Sequence, residues 1–163
     1  MFSNCYGLTN IPPLELSGVT LCENMFYNCR FTSIGDLNLS SCSSMGNVLG
    51  SCSQLTTIGV IHCDSMINTS SFPSSSVLSN VTNIGGFRNL GKISSLSNTN
   101  GSNSPMVKLP NLTYGSVMNV LNELYDRAAA GLPVLTLKLH ANHLAMLSED
   151  DIAVATNKGW PLV

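Results

Sequence analysis

Three cysteines, Cys5, Cys29 and Cys52, recur at a nearly constant interval, and each is followed by the same spacing of apolar side chains. Leu8, Ile11, Leu14 and Leu16 follow the first, and Phe31, Ile34, Leu37 and Leu39 the second. Leu55, Ile58, Ile61 and Cys63 follow the third. Phe87, Leu90, Ile93, Leu96 and Asn98 read as a fourth, degenerate copy. Self-similarity at a period of roughly 20 to 50 residues marks a repeat architecture. A unit this small cannot bury its own apolar face, so it must stack on its neighbours. The expectation is a repeat solenoid, a right-handed coil with short parallel strands.

The strands are expected at Leu14-Glu15-Leu16, Leu37-Asn38-Leu39 and Ile61-His62-Cys63. Alternation turns the outer residues of each triplet inward and the middle one outward. Glu15, Asn38 and His62 would then line one face of a narrow parallel sheet, as a candidate binding face. Simple solvation of that face is the plainer reading for any one of them. Inside, Cys5, Cys29 and Cys52, with Leu8, Phe31, Leu55, Ile11, Ile34 and Ile58, form the expected structural ladder.

The Ser-rich stretch from Asp64 to Val81 reads as a loop that lengthens the third repeat to about 35 residues. The four repeats together occupy residues 1–98, and a linker is expected over 99–111. Residues 112–163 change character and are expected to form a small α/β C-terminal cap. Helical spacing of Val117, Val120, Leu121, Leu124, Tyr125 and Ala128 predicts a helix from about Tyr114 to Ala130, ended by Gly131 and Pro133. Leu135, Leu137 and Leu139 alternate as in a strand. Ser148 and Asp151 are spaced as a capping box, Glu149 to Asp151 and Lys158 suit the dipole of a short second helix, and Gly159 ends it. Trp160 is expected to fold back onto the core.

Composition narrows the function. Only 10% of the residues are charged and the formal net charge is -2. Ser and Asn supply about a quarter of the chain. No Lys/Arg cluster is present to neutralise phosphates, so nucleic acid is not expected as a partner. No apolar run approaches the roughly 20 residues of a spanning helix, so no membrane insertion is expected. Met1-Phe2 occupies the place that Met25-Phe26 takes one repeat later, so the chain starts inside the pattern, with no capping segment and no signal peptide. The expectation is a fragment, or an N-terminal face covered by upstream repeats or a partner.

The repeats MFSNCYGLTNIPPLEL, MFYNCRFTSIGDLNL and VLGSCSQLTTIGVIHC resemble the BspA-like leucine-rich repeats of bacterial surface proteins, some protists and some phages of gut bacteria. Their pattern is roughly M-F-x-x-C-x-x-L-T-x-I-x-x-L-x-L. The tail SEDDIAVATNKGW, preceded by LTLKL, is similar to the C-terminal end of many such proteins from gut Bacteroidales and their phages. The resemblance implies a leucine-rich-repeat fold, a cell-surface, extracellular or virion setting, and adhesion or recognition. It supplies no catalytic residues.

The cysteines fit a ladder of buried thiols, since a free Cys packs as a small hydrophobe. Disulfides are the alternative. Parallel Cβ vectors at one phase of successive coils oppose a bridge, although the stacking distance allows one. Cys22 and Cys42 lie outside the ladder. No C-x-x-C pair is present; His62-Cys63 and His140 with His143 are the histidines nearest other ligand types, so no metal or cofactor is expected. Cys63, His62 and Asp64 are neighbours in sequence, which is no evidence of a nucleophile and its base in one pocket. The triplets Asn38-Leu39-Ser40, Asn68-Thr69-Ser70 and Asn80-Val81-Thr82 are expected by chance in so Asn- and Ser-rich a chain. The leading expectation is a non-catalytic recognition or adhesion module that binds a protein or glycan, not an enzyme. The alternative is a spacer or terminal cap of a longer surface protein.

Overall fold

The computed structural model describes residues 1–68, 78–96, 106, 107 and 109–163. The fold is α/β: a sheet of parallel strands, with a few helices packed at its C-terminal side. Strands β1 (Asn10–Ile11) and β2 (Leu14–Glu15) lie in line beside β3 (Ser33–Ile34) and β4 (Leu37–Asn38). Both of these lie beside the longer β5 (Thr57–His62), and β6 (Asn83–Arg88) pairs along its far edge. Asn10 pairs with Ser33, Ser33 with Thr57 and Thr57 with Asn83, so successive partners are separated by nearly equal lengths of chain.

Two expectations of spacing need correction. The third interval, Thr57 to Asn83, is nearly the same as the first two, so the third repeat is not lengthened at the strands as expected. Part of the expected Ser-rich loop is integrated: Met66, Leu78 and Val81 are buried, and Asn68 bridges to Ser44. The run from Thr69 to Val77, with its serines and Pro73, lies outside the described residues. So do Asn98 and the Gly/Asn/Ser stretch that follows it. The fourth segment is also out of the expected register. Ile84 pairs with Ile58 and Phe87 with Ile61, so Phe87 stands at the place of Ile61 and not at that of Cys52.

Side chains at the inward phase fill one continuous core. Phe31, Ile34, Leu37 and Leu39 are buried, as are Leu55, Ile58, Ile61 and Cys63. Turns carry the chain into this core through left-handed residues just before the cysteines, Asn4, Asn28 and Ser51, with φ of 60°, 57° and 60°. Asn tolerates that region better than most residues because its short amide bonds locally. Gly35, Gly59 and Gly85 stand at corresponding places in successive segments. A Cβ on any of them would collide with the backbone of the segment before, at Pro13, Gly35 and Gly59 respectively. Close approach of two backbones, not a positive φ, requires glycine there.

The first segment differs from the others. Phe2, Cys5, Leu8, Leu14, Leu16 and Val19 are only partly buried, whereas their downstream counterparts are enclosed. Cys5 and Leu8 therefore depart from the fully buried ladder. The ring of Phe2 stacks on Phe26 at 5.3 Å.

Helix α1 (Tyr114–Glu123) covers the far edge of β6. The Thr113 N–H donates to Thr82 O at 2.9 Å. The Ser116 hydroxyl accepts from Ile84 N at 3.1 Å and donates to Thr82 O at 3.2 Å. The Asn119 amide donates to Ile84 O at 3.1 Å. Side chains thus occupy backbone groups that a further strand would use, which blunts the edge. α1 ends at Glu123, short of the expected Ala130, because the Tyr125 N–H turns away to Leu90 O. The expected stop is nevertheless used: Gly131 has φ of 65° and closes a separate turn in which Leu132 N donates to Arg127 O.

Beyond this turn, β8 (Lys138–Leu139) pairs in parallel with β7 (Met106–Val107), which lies within the expected linker. The alternating leucines thus give a strand shorter than expected. A four-residue helix α2 (Ala141–Leu144) follows, then α3 (Glu149–Thr156). Ser148 and Asp151 form the expected capping box. Lys158 lies past α3 and caps a different helix: its Nζ donates to Leu121 O and Asn122 O at 3.3 and 2.6 Å. Trp160 is fully buried, its Nε1 donating to Tyr125 O at 2.9 Å. Arg127 is also fully buried. Its guanidinium lies 5.7 Å from the Trp160 ring and donates to the carbonyls of Pro133, Gly91 and Ile93. No helix among the described residues is long and apolar enough to cross a membrane.

Ile34→Ala should cost about 2 to 5 kcal/mol, the range for deleting buried methylenes where neighbours cannot collapse. Asn38→Ala removes one half-exposed amide and should cost at most about 1 kcal/mol. Urea unfolding of both proteins measures the difference, and equal losses would contradict the inward and outward assignments. Truncation before Leu112 removes the helix that occupies the β6 edge. It should yield aggregated chain by size-exclusion chromatography, and a soluble monomer would show that the edge needs no cover.

Candidate functional site

The outer surface of the sheet carries two lines of polar side chains with the glycines between them. Glu15 and Asn38 are register partners, and so are His62 and Arg88. The Asn38 Nδ2 donates to both Glu15 carboxylate oxygens at 2.9 Å, and Asn38 Oδ1 accepts from Ser40 N at 3.3 Å. Arg88 donates to Glu123 through Nε and Nη2 at 2.7 and 3.2 Å. That ion pair holds the Glu123 carboxyl below its ordinary pKa and the Arg88 guanidinium above its own. Lys92 and Asn89 both donate to Asp64 Oδ1, at 3.0 and 2.9 Å. The expected face of Glu15, Asn38 and His62 is therefore a line on one surface, with Glu15 and Asn38 already bonded to each other.

The second line is neutral: Asn10, Ser33, Thr57 and Asn83. The Ser33 hydroxyl donates to Asn10 Oδ1 at 2.8 Å. Between the two lines, where β5 and β6 meet the start of α1, the surface sinks into an open groove of about 410 Å³. Gly59, Gly85 and Gly115 give it backbone walls, and Asp36, Thr57, Asn83 and Asn119 supply polar side chains. Sequence reasoning missed these four because they come from four different parts of the chain. The available signal was the Leu-Thr pair. Leu8-Thr9 and Leu55-Thr56 recur as Leu112-Thr113, which places the start of α1 beside β6.

The cysteines act within the core. The Cys29 thiol donates to Phe2 O at 3.0 Å and Cys52 to Phe26 O at 3.1 Å. Burial raises the thiol pKa of Cys29, and that of Cys52 from 9.0 to about 11. Cys63 is enclosed completely and its pKa is raised further by the same cause. A thiol that holds its proton is a poor nucleophile. Cys63 is buried, His62 lies on the outer face and Asp64 is engaged by Lys92, so the three do not converge. Cys22 and Cys42 form a disulfide, Cα atoms 6.2 Å apart, and Cys5, Cys29, Cys52 and Cys63 are free.

His140 and His143 do not assemble a metal centre. The His140 Nδ1 accepts from Asn142 N at 3.3 Å at the start of α2. His143 is fully buried, and burial with the neighbouring His140 lowers its pKa, which favours the neutral ring. Among the described residues no group of three or more His, Cys, Asp or Glu side chains is placed to hold a metal ion. No protein-family model, curated protein or solved structure matches the chain.

A thiol reagent should label Cys5 rapidly in the native protein, and the three buried thiols only after unfolding. The count in denaturant should be four, rising to six on reduction. The raised pKa of Cys52 adds a sign. Its contribution to stability is complete below pH 9.0 and is lost as pH rises toward about 11, because the unfolded thiol ionises first. Rapid native labelling of Cys52 would show that the core opens there.

Proposed function

We propose that the chain is a BspA-like leucine-rich-repeat solenoid with a C-terminal α/β cap, and that it serves as a non-catalytic recognition or adhesion module. The observation that carries the architecture is the near-constant offset of the parallel pairs, Asn10 with Ser33, Ser33 with Thr57 and Thr57 with Asn83. Repeat proteins of this kind bind along the extended surface that stacking creates. The outer sheet surface, with its neutral line and groove, is where a protein or glycan ligand binds.

The setting we propose is a cell surface, the extracellular space or a phage virion. The Cys22–Cys42 disulfide supports an oxidising compartment. Upstream repeats or a partner would sit on Phe2, Leu8, Leu14 and Val19, which remain half-buried.

The test presents the folded chain to immobilised mucin, fibrinogen, dextran and arabinogalactan in an interferometry assay. Saturable binding to at least one surface is expected. Replacing both exposed residues Thr57 and Asn83 by Trp should abolish it while leaving the circular dichroism unchanged. A folded chain that binds none of them would favour the spacer reading.

A further inference from the structure

We infer that the groove between β5, β6 and the start of α1 is a binding site for a neutral saccharide, an assignment that rests on the recognition reading above. Its volume of about 410 Å³ is that of a small-ligand site. Part of the polar lining is already engaged. Asp36 Oδ1 accepts from the Val60 N–H at 2.7 Å. Asn83 and Asn119 each use one of their two amide N–H groups, on Thr82 Oγ1 and Ile84 O. The remaining amide N–H and oxygen of each Asn, the second carboxylate oxygen of Asp36 and the Thr57 hydroxyl keep hydrogen-bonding capacity in the lining of the groove. Among the described residues no Lys or Arg lines it.

Such a surface selects by the direction of hydrogen bonds. It offers acceptors and neutral donors spread over β5, β6, α1 and the turn before β4, so the ligand must bring several groups that both donate and accept at separate points. Vicinal hydroxyls on a sugar ring do this without carrying charge. An anion would meet a carboxylate and amide oxygens with no cation to hold it. A single ammonium group would engage Asp36 and leave the other polar groups to water, so it would use little of the site. Of the aliphatic side chains in the lining, Ile58 and Ile84 are buried and Val60 is only partly exposed, so most of their surface is out of a ligand's reach. Among the described residues no aromatic ring lines the groove, so the affinity of one site should be low, with Kd about 1 mM.

The test is a titration of the isotopically labelled full chain, followed by amide chemical shifts, with the methyl glycosides of glucose, galactose and mannose. Glucuronate and n-butylamine are the charged probes. At least one neutral glycoside should shift the Gly59, Gly85 and Gly115 amides together, and both charged probes should leave them in place. Gly115→Phe is the blocking variant. A Cβ at Gly115 meets nothing within 4 Å, so a ring is accommodated at this lining position without displacing the fold. It should weaken binding at least tenfold, with the rest of the spectrum retained, and Thr57→Val should weaken it severalfold. The assignment is overturned by n-butylamine or glucuronate shifting the same amides, by glycoside shifts confined elsewhere, or by no shift up to about 50 mM glycoside. If the glycosides fail while mucin or fibrinogen still binds, the saccharide assignment falls and the recognition module stands. If every surface fails as well, both fall.

Discussion

One backbone hydrogen bond, repeated, sets the spacing on which the rest of this structure depends. Thr32 N donates to Thr9 O, Thr56 N to Thr32 O, Thr82 N to Thr56 O and Thr113 N to Thr82 O, all at 2.9 to 3.0 Å. Each bond draws a segment against the one before it. At that distance Gly35, Gly59 and Gly85 have no room for a side chain, while Ile11, Ile34, Ile58 and Ile84 fall in line beneath the sheet. The last of these bonds starts a helix instead of a strand. The spacing that builds the sheet therefore also ends it, because Thr113 is both a rung and the N-cap of α1.

Cysteine has two roles in this arrangement, and the phase of the residue decides between them. Cys29 and Cys52 share a phase and point the same way, so each thiol reaches a carbonyl of the preceding segment rather than another sulfur. An aliphatic side chain of similar size would leave that carbonyl without this donor. Cys22 and Cys42 are separated by 20 residues, which is shorter than the offset between segments. They therefore enter from different points of their turns and can meet. In-phase cysteines stay free, and the pair that bridges is the out-of-phase one.

The inward residues of the first three segments were legible in the sequence because burial imposes a strict apolar rhythm. The fourth is displaced by three rungs. Phe87, Leu90, Ile93 and Leu96 repeat the spacing of Cys52, Leu55, Ile58 and Ile61, and apolar spacing alone cannot tell one rung from the next. The Val81-Thr82 pair, beside Leu55-Thr56, carries the register the structure adopts. The helix end was overrun because Tyr125 and Ala128 continue an apolar stripe, while the actual stop is a tertiary bond to Leu90 O. The candidate site was the least legible part. Asp36, Thr57, Asn83 and Asn119 share no motif, and only the stacking of separate segments brings them to one groove.

Arg127 fastens the C-terminal segment to the turn after β6 with carbonyl dipoles instead of a carboxylate. Dissolved ions screen exposed charge pairs, such as Arg88 with Glu123 and Lys92 with Asp64, but they have no access to a guanidinium enclosed among backbone oxygens. The joint that holds the end of the fold is thereby screened far less than the surface ion pairs, so added salt should loosen Arg88–Glu123 and Lys92–Asp64 before it reaches Arg127.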